Sequence, residues 1–175
     1  MRRSLVVTVM LASGSTVRSE PAPDPSRAYV ELGAAAVGGT ELYAAVSIES
    51  GYRPGPYGLW LHAVFQQGNI AGPFASQEGS DDAITSSGHL AVRVGIDKRI
   101  CLEGHVWCAI AGVDAGYLHQ YAISRANPKD LRGPVVVPHL GLDFGGHVRF
   151  RPGIEANVAH GVETVGLTAA IAYLW

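Results

Sequence analysis

Histidine and serine residues are the first candidates for chemistry in this sequence. His119 is followed by Ser124, and His89 closely follows Ser86 and Ser87. A histidine that takes the proton of a serine hydroxyl is the pairing that activates serine for acyl transfer. No recognisable motif surrounds either pair, and seven histidines among many serines produce such pairs by chance. We therefore predict that the chain is not an enzyme and has no catalytic residue.

The two cysteines, Cys101 and Cys108, are the next candidates. Gly104 lies between them, and this spacing can close a disulfide across a hairpin turn. Two unpaired thiols are the alternative. A metal site would need more ligands than Glu103 and His105 supply, and the spacing matches no standard zinc pattern. We expect a disulfide, an oxidising compartment, and neither a metal nor a cofactor.

Charged residues recur at alternate positions of successive segments. Arg93, for example, lies between Val92 and Val94. Period-two alternation predicts strands with one apolar face and one charged face. If the charged faces surround an enclosed space, acids and bases must pair there. The residues predicted to form this lumen charge network are Glu31, Glu49, Arg93, Asp97, Asp114, Asp143, Arg151 and Glu155.

Eight segments carry the alternation and must position these side chains. Their lengths approach the about 9 to 11 residues that a tilted strand needs to cross a bilayer. Short turns alternate with longer connections, of which 68–87 and 119–133 are the most polar. Pro138 cannot donate to a ladder, which indicates a bulge or a strand that starts later. The predicted strands are 28–38, 41–53, 56–67, 88–98, 105–118, 134–145, 147–158 and 165–175.

The composition restricts the class of protein. A chain of 175 residues with 47% hydrophobic and only 16% charged residues corresponds to one apolar domain. It has no apolar run of about 18 residues, which excludes a transmembrane helix. The net charge of -2 gives no indication of a nucleic-acid partner. A soluble β-rich domain and a membrane barrel remain.

The N-terminus predicts export. Arg2 and Arg3 precede an apolar stretch at 5–11 and small residues at 12–14, as in a signal peptide. We assign residues 1–19 to the signal peptide, 20–27 to a Pro-rich spacer and 28–175 to the barrel. Cleavage after Gly14 and cleavage near residue 19 both remain open. A buried N-terminal strand is the alternative, which the Pro-rich, charged spacer argues against.

Two features favour a membrane barrel over a soluble domain. The charged face is rich in glycine, as a narrow lumen packed with side chains requires. Aromatic residues lie at strand ends, where interfacial girdles are expected. The soluble alternative, an exported β-sandwich or lipocalin-like barrel, would instead place Val92, Ile154 and Ile171 inward. The candidate girdle residues are Tyr29, Tyr52, Tyr57, Trp107, Tyr117, Tyr173 and Trp175.

The last strand carries a family resemblance. Leu167, Ala169, Ile171, Tyr173 and Trp175 form an alternating apolar ending. This ending resembles the C-terminal assembly signal of outer-membrane β-barrel proteins, which usually end in Phe. The segment 28–175 resembles the small OmpA/OmpX-type barrels in strand number, strand length and loop alternation. The resemblance implies an all-β fold, an eight-stranded antiparallel up-and-down transmembrane β-barrel, inserted into the cell outer membrane by the assembly machinery.

The expected role follows from this fold. We predict a monomer that contacts outer-membrane lipids and lipopolysaccharide, with a lumen filled by side chains and a structural, surface-binding or adhesive role. A narrow, porin-like pore for ions or small solutes is one alternative. A soluble lipocalin-like barrel for an apolar ligand is another. Small outer-membrane barrels also include lipid A deacylases and palmitoyltransferases, so a lipid A-modifying enzyme is a third. His62 and His139 are expected to pack in the lumen.

Overall fold

A computed structural model describes residues 27–38, 42–54, 58–70, 84–101, 106–124, 129–159 and 162–175. The described residues form eight strands joined in chain order. The alternation of apolar and polar residues explains these strands, because only an extended chain sends successive side chains to opposite faces. The strands are β1 (Ala28–Gly38), β2 (Leu42–Tyr52), β3 (Leu59–Ile70), β4 (Ile84–Cys101), β5 (Trp107–Ser124), β6 (Lys129–Gly145), β7 (Val148–Ala159) and β8 (Val162–Leu174).

The strands close into a single barrel. Each strand pairs antiparallel with the next, and β1 completes the circle by pairing with β8 from Tyr29↔Leu174 to Gly38↔Val165. Within the described residues, closure pairs both edges of each strand along the barrel wall, while β4 before His89 and β6 before Val135 extend past the described ladders with β3 and β7. Among the described residues, no helix is long and apolar enough to cross a membrane. The prediction of an all-β, eight-stranded, antiparallel up-and-down barrel is confirmed.

The apolar residues face outward and the charged residues face the lumen. Val94 of β4 is 63% exposed, whereas its neighbour Arg93 is 4% exposed. Ile154 and Ile171 are also exposed, and Glu155 is buried. The soluble alternative required the reverse arrangement and is therefore wrong. The exterior has the apolar surface of a transmembrane barrel.

Strands β4, β5 and β6 are longer than the sequence predicted. They have 18, 18 and 17 residues, whereas the other strands have 11 to 13. The sequence-based bounds stopped where apolar alternation stops, near Leu90, Tyr117 and Pro134. In the structure the ladders continue through polar residues, because hydrogen bonding of the main chain does not require an apolar face. The three strands therefore extend past their neighbours at one end of the barrel.

Pro138 does not produce the expected bulge, and β6 starts earlier than predicted. The register between β6 and β7 is the same on both sides of it, with Val135↔Ala159 and His139↔Glu155. The ladder lacks pairs at Val137 and Pro138, and again at Leu142 and Asp143, but Pro138 keeps its partner Val113 on β5. Since proline has no N–H to donate, the unpaired position faces β7.

The two ends of the barrel differ. The terminal end holds the start of β1 and the end of β8, and the far end holds the extensions of β4, β5 and β6. Cys101 and Cys108, at the terminal end, form the predicted disulfide.

Of the residues predicted for the aromatic girdles, Tyr57 lies outside the described residues. Tyr29 is not a girdle residue, because its side chain is buried in the lumen. It lies two residues before Glu31 in the same strand and therefore faces the same side of the sheet. Exposed aromatic residues of the predicted set are Tyr52, Tyr117, Tyr173 and Trp175.

Candidate functional site in the barrel lumen

Aromatic rings and an arginine pack together at the terminal end of the lumen. Tyr29 and Trp60 meet edge to face with their ring centroids 5.2 Å apart. The guanidinium of Arg99 lies 4.1 Å from the centroid of Trp60 and 5.2 Å from that of Tyr29. Cation–π contact and edge-to-face packing therefore hold these three side chains together. Tyr29 also donates a hydrogen bond to Glu49.

Asp143 is the centre of a buried ionic cluster above these rings. Arg99, Arg149 and Arg151 place guanidinium nitrogens 3.5, 3.4 and 3.5 Å from its Oδ2. Arg151 also forms an ion pair with Glu31. The carboxylate is fully buried. Several opposite charges are needed to offset the loss of its hydration.

A second ionic cluster occupies the middle of the lumen. Arg93 lies 3.0 Å from Glu155 Oε2 and 3.5 Å from Asp114 Oδ2. Glu155 accepts a further hydrogen bond from Gln66 at 3.4 Å, and Gln66 Oε1 lies 2.9 Å from His89 Nε2. All five side chains are buried. They form a continuous polar chain across the barrel towards its far end.

Two short rows of residues across the sheet bring histidine and aspartate together. In one row His62 of β3, Gly95 of β4 and Asp114 of β5 are register partners. Because the central glycine has no side chain, the flanking groups meet above it, with His62 Nε2 2.8 Å from Asp114 Oδ1. The second row repeats this arrangement one strand further round the barrel.

The second row consists of Asp97 of β4, Gly112 of β5 and His139 of β6. His139 Nε2 lies 2.6 Å from Asp97 Oδ1 above the glycine. The two rows also contact each other, since His62 Nδ1 lies 3.6 Å from Asp97 Oδ2 and the two imidazole rings are 5.8 Å apart. Ligand atoms of His62, Asp97 and His139 all lie within 4.8 Å of one another. We call these three residues with Asp114 the histidine–aspartate cluster.

The structure places all eight predicted network residues on the lumen face, in several groups, two of which share Asp114. Glu31, Asp143 and Arg151 lie near the terminal end, and Arg93, Asp114 and Glu155 lie in the middle. Glu49 pairs with Tyr29, and Asp97 belongs to the histidine–aspartate cluster.

Sequence reasoning missed three ionic partners. Arg99 was assigned to a turn because β4 was ended at residue 98. His62 and His139 were expected only to pack, and their contacts with aspartates depend on a register that the sequence does not give. One available signal was the repeated Gly-X-Asp at 95–97 and 112–114, which leaves space beside each aspartate.

The structure describes only part of the predicted serine–histidine pairs. His89 contacts Gln66 in the lumen, and His119 lies 3.0 Å from Asp130 on the outside. The side chains of Ser86 and Ser124 are outside the described residues. The connections 71–83 and 125–128, which hold most of the two polar loops, also lie outside them.

The far-end extension carries a different outer surface from the rest of the barrel. His119 and Tyr121 of β5 contact each other with ring centroids 5.5 Å apart. On β6, Arg132 lies 3.7 Å from Asp130. These polar side chains occupy outward-facing positions of β5 and β6. Nearer the terminal end, the outward-facing positions of the same strands are apolar. The apolar belt therefore ends where these polar side chains begin.

The fold agrees with solved outer-membrane barrels. Neisserial surface protein A superposes with a TM-score of 0.63 at 10% identity, over 85% of this chain and 96% of that one. The N-terminal β-barrel domain of Pseudomonas aeruginosa OprF gives 0.58 at 8% identity, over 86% and 99%.

Ail, the attachment invasion locus protein of Yersinia pestis, gives a TM-score of 0.55 at 14% identity, over 86% of this chain and 97% of Ail. Ail has also been crystallised with the heparin analogue sucrose octasulfate. The sequence matches no protein-family model and no curated protein. At these identities the comparison concerns architecture, and it agrees with the predicted outer-membrane location. The chain has the fold of the small eight-stranded outer-membrane β-barrels.

Proposed function

We propose that this chain is a non-conducting barrel of the outer membrane that presents a binding surface on its far end. In this proposal the apolar exterior contacts membrane lipids and the far end contacts lipopolysaccharide and the surroundings of the cell. The protein acts as a monomer, because closure pairs the strand edges of the barrel wall internally.

The observation that carries the proposal is the length of β4, β5 and β6. A tilted strand crosses the hydrocarbon layer in about 9 to 11 residues. These strands have 18, 18 and 17 residues, so about 6 or more in each exceed the need. Most of the excess lies at the far end, where His119, Asp130 and Arg132 replace the apolar belt, and only residues 99–101 of β4 extend at the terminal end. A rigid three-stranded projection of this kind can hold binding residues in fixed positions.

The filled lumen supports a closed barrel. The rings at the terminal end and both ionic clusters occupy much of the interior, and the cavity beside Arg93 and Glu155 has a volume of about 100 Å³. Opening a path through this interior would separate buried ion pairs, which costs several kcal/mol for each charge left alone. A structural and binding role is therefore better supported than a pore.

The segments at the two ends of the chain complete the proposal. A signal peptide at 1–19 directs export, residues 20–27 form a spacer, and the row from Leu167 to Trp175 is recognised by the assembly machinery. This arrangement places the terminal end on the periplasmic side and the far end outside the cell.

Heat-modifiability and conductance test the barrel and its closure. We expect the chain to fractionate with the outer membrane and to migrate differently on SDS gels before and after boiling. In planar bilayers we expect no stable conductance. Recovery in the periplasmic fraction without a gel shift would overturn the membrane assignment, and steady single-channel currents would overturn the closed lumen.

Cysteine labelling on intact cells tests the orientation. In a background of Cys101→Ser and Cys108→Ser, Asp130→Cys marks the projection and Gly146→Cys marks a turn at the terminal end. A membrane-impermeant maleimide should label only Asp130→Cys in intact cells and both positions after permeabilisation. The reverse pattern would place the projection in the periplasm and remove its role in surface binding.

A further inference from the structure

We propose that the histidine–aspartate cluster is a binding site for one divalent transition-metal ion, with His62, Asp97 and His139 as ligands and Asp114 as the residue that orients His62. The proposal goes beyond the surface-binding role and does not depend on it. Two imidazoles and a carboxylate are a ligand set that suits Zn²⁺, Fe²⁺, Ni²⁺ or Cu²⁺.

The first argument is that the sheet leaves room for this cluster. A Cβ added at Gly95 would lie 2.7 Å from His62 Nε2, and it would also collide with the carboxylate of Asp114. A Cβ at Gly112 would lie against Asp97 and the imidazole of His139. Both glycines sit between a histidine and an aspartate, so any larger residue would push the polar groups apart. Four strands thus converge on one small volume.

The second argument is the unsatisfied nitrogen of His62. Its side chain is 1% exposed, and its Nδ1 has no hydrogen-bond partner among the described residues. This atom lies 3.6 Å from Asp97 Oδ2, which is too long for a hydrogen bond. A buried polar atom without a partner costs free energy, and a coordinated metal ion would supply the missing interaction.

The third argument is the contact on the other side of the same ring. His62 Nε2 lies 2.8 Å from Asp114 Oδ1. Histidines that bind metals commonly donate their other ring N–H to a carboxylate, which fixes the tautomer and makes the ligating nitrogen more basic. Asp114 is in turn held by Arg93 at 3.5 Å. His62 therefore has the orientation of a metal ligand.

Charge and access also fit a cation. Asp97 and Asp114 contribute two negative charges, and Arg93 is shared between Asp114 and Glu155. A divalent ion would offset the remaining negative charge in this enclosed space. The site is reachable, because the side chain of His139 is 21% exposed. Asp97, Asp114 and His139 also line the cavity that remains in the lumen.

The test is metal titration of the refolded full chain in detergent, prepared without a histidine tag and treated with a chelator. Co²⁺ is followed by its visible absorption and Zn²⁺ by equilibrium dialysis. We expect one ion per chain. His62→Gln or His139→Gln should abolish binding, and Asp114→Asn should weaken it by about 10- to 100-fold. His89→Gln, a lumen histidine outside the cluster, and His119→Gln, on the outer surface, should leave binding unchanged.

Folding of each variant is checked by its gel shift. A second measurement needs no variant: one equivalent of Zn²⁺ should raise the urea midpoint of the unaltered chain, since a ligand that binds only the folded state stabilises it. Binding that persists in His62→Gln and His139→Gln would overturn the proposal. So would a folded, unaltered chain that binds no Co²⁺ or Zn²⁺ and gains no stability from them. In that case the cluster is a set of ion pairs that holds the lumen together.

Discussion

Replacement of Arg93 by methionine tests whether water is excluded from the ion pairs in the middle of the lumen. The Arg93 side chain is 4% exposed and is the ion-pair partner of both Glu155 and Asp114. Methionine keeps much of the volume and removes the charge, which leaves Glu155 without its cation. Loss of one partner of a buried pair costs about 3–5 kcal/mol. We expect a decrease of this size in the free energy of unfolding.

Arg132→Met is the matched control. Arg132 also pairs with a carboxylate, Asp130 at 3.7 Å, but its side chain is 66% exposed. Exposed pairs contribute about 0–1 kcal/mol, because water already solvates both charges. Both variants therefore remove an arginine from an ion pair with a carboxylate, and they differ in how deeply that pair is buried.

Urea unfolding of the chain refolded in lipid vesicles, followed by tryptophan fluorescence, measures both variants. Adding Glu155→Gln to Arg93→Met should recover part of the loss, because the unpaired carboxylate is then gone. Equal, small effects of the two arginine substitutions would refute the reasoning. They would mean that water enters the lumen and solvates the charges there.

Three further predictions concern glycine, the exterior and the disulfide. Gly112→Val should destabilise the barrel by about 1–3 kcal/mol through overpacking, whereas Gly146→Ala, with no atom within 4 Å of the added Cβ, should not; urea titration compares them. Val94→Arg places a charge on the exposed belt and should cost about 2–4 kcal/mol in vesicles, and a smaller loss would argue against lipid contact. Joint replacement of Cys101 and Cys108 by serine should lower stability by about 2–3 kcal/mol, the chain-entropy value for a short loop, as seen in the urea midpoint.

The sequence predicted the fold because each strand carries its own evidence. Residues such as Val92, Arg93 and Val94 show the alternation locally, without knowledge of any partner strand. The ends of β4, β5 and β6 were not predictable in this way. There the side chains are polar on the outside, and only the ladder with the neighbouring strand maintains the extended chain.

The histidine–aspartate cluster shows what the sequence alone cannot predict about a site. His62 and His139 are far apart in sequence, and their contacts with Asp114 and Asp97 depend on the stagger of neighbouring strands. A shift of two residues in one ladder would keep every side chain on its face and still separate the groups. Alternation specifies the face, whereas the partner is specified only by the closed barrel.

The pairing of β1 with β8 has a consequence for the time at which the barrel can form. Tyr29 pairs with Leu174, so the first strand waits for a partner from the last strand to be synthesised. Hairpins between neighbouring strands can form early, but closure brings together residues almost the whole chain apart, which makes it slow. Until then the edges of β1 and β8 and an apolar face are exposed to other chains. The chain must therefore be protected from aggregation between synthesis and closure.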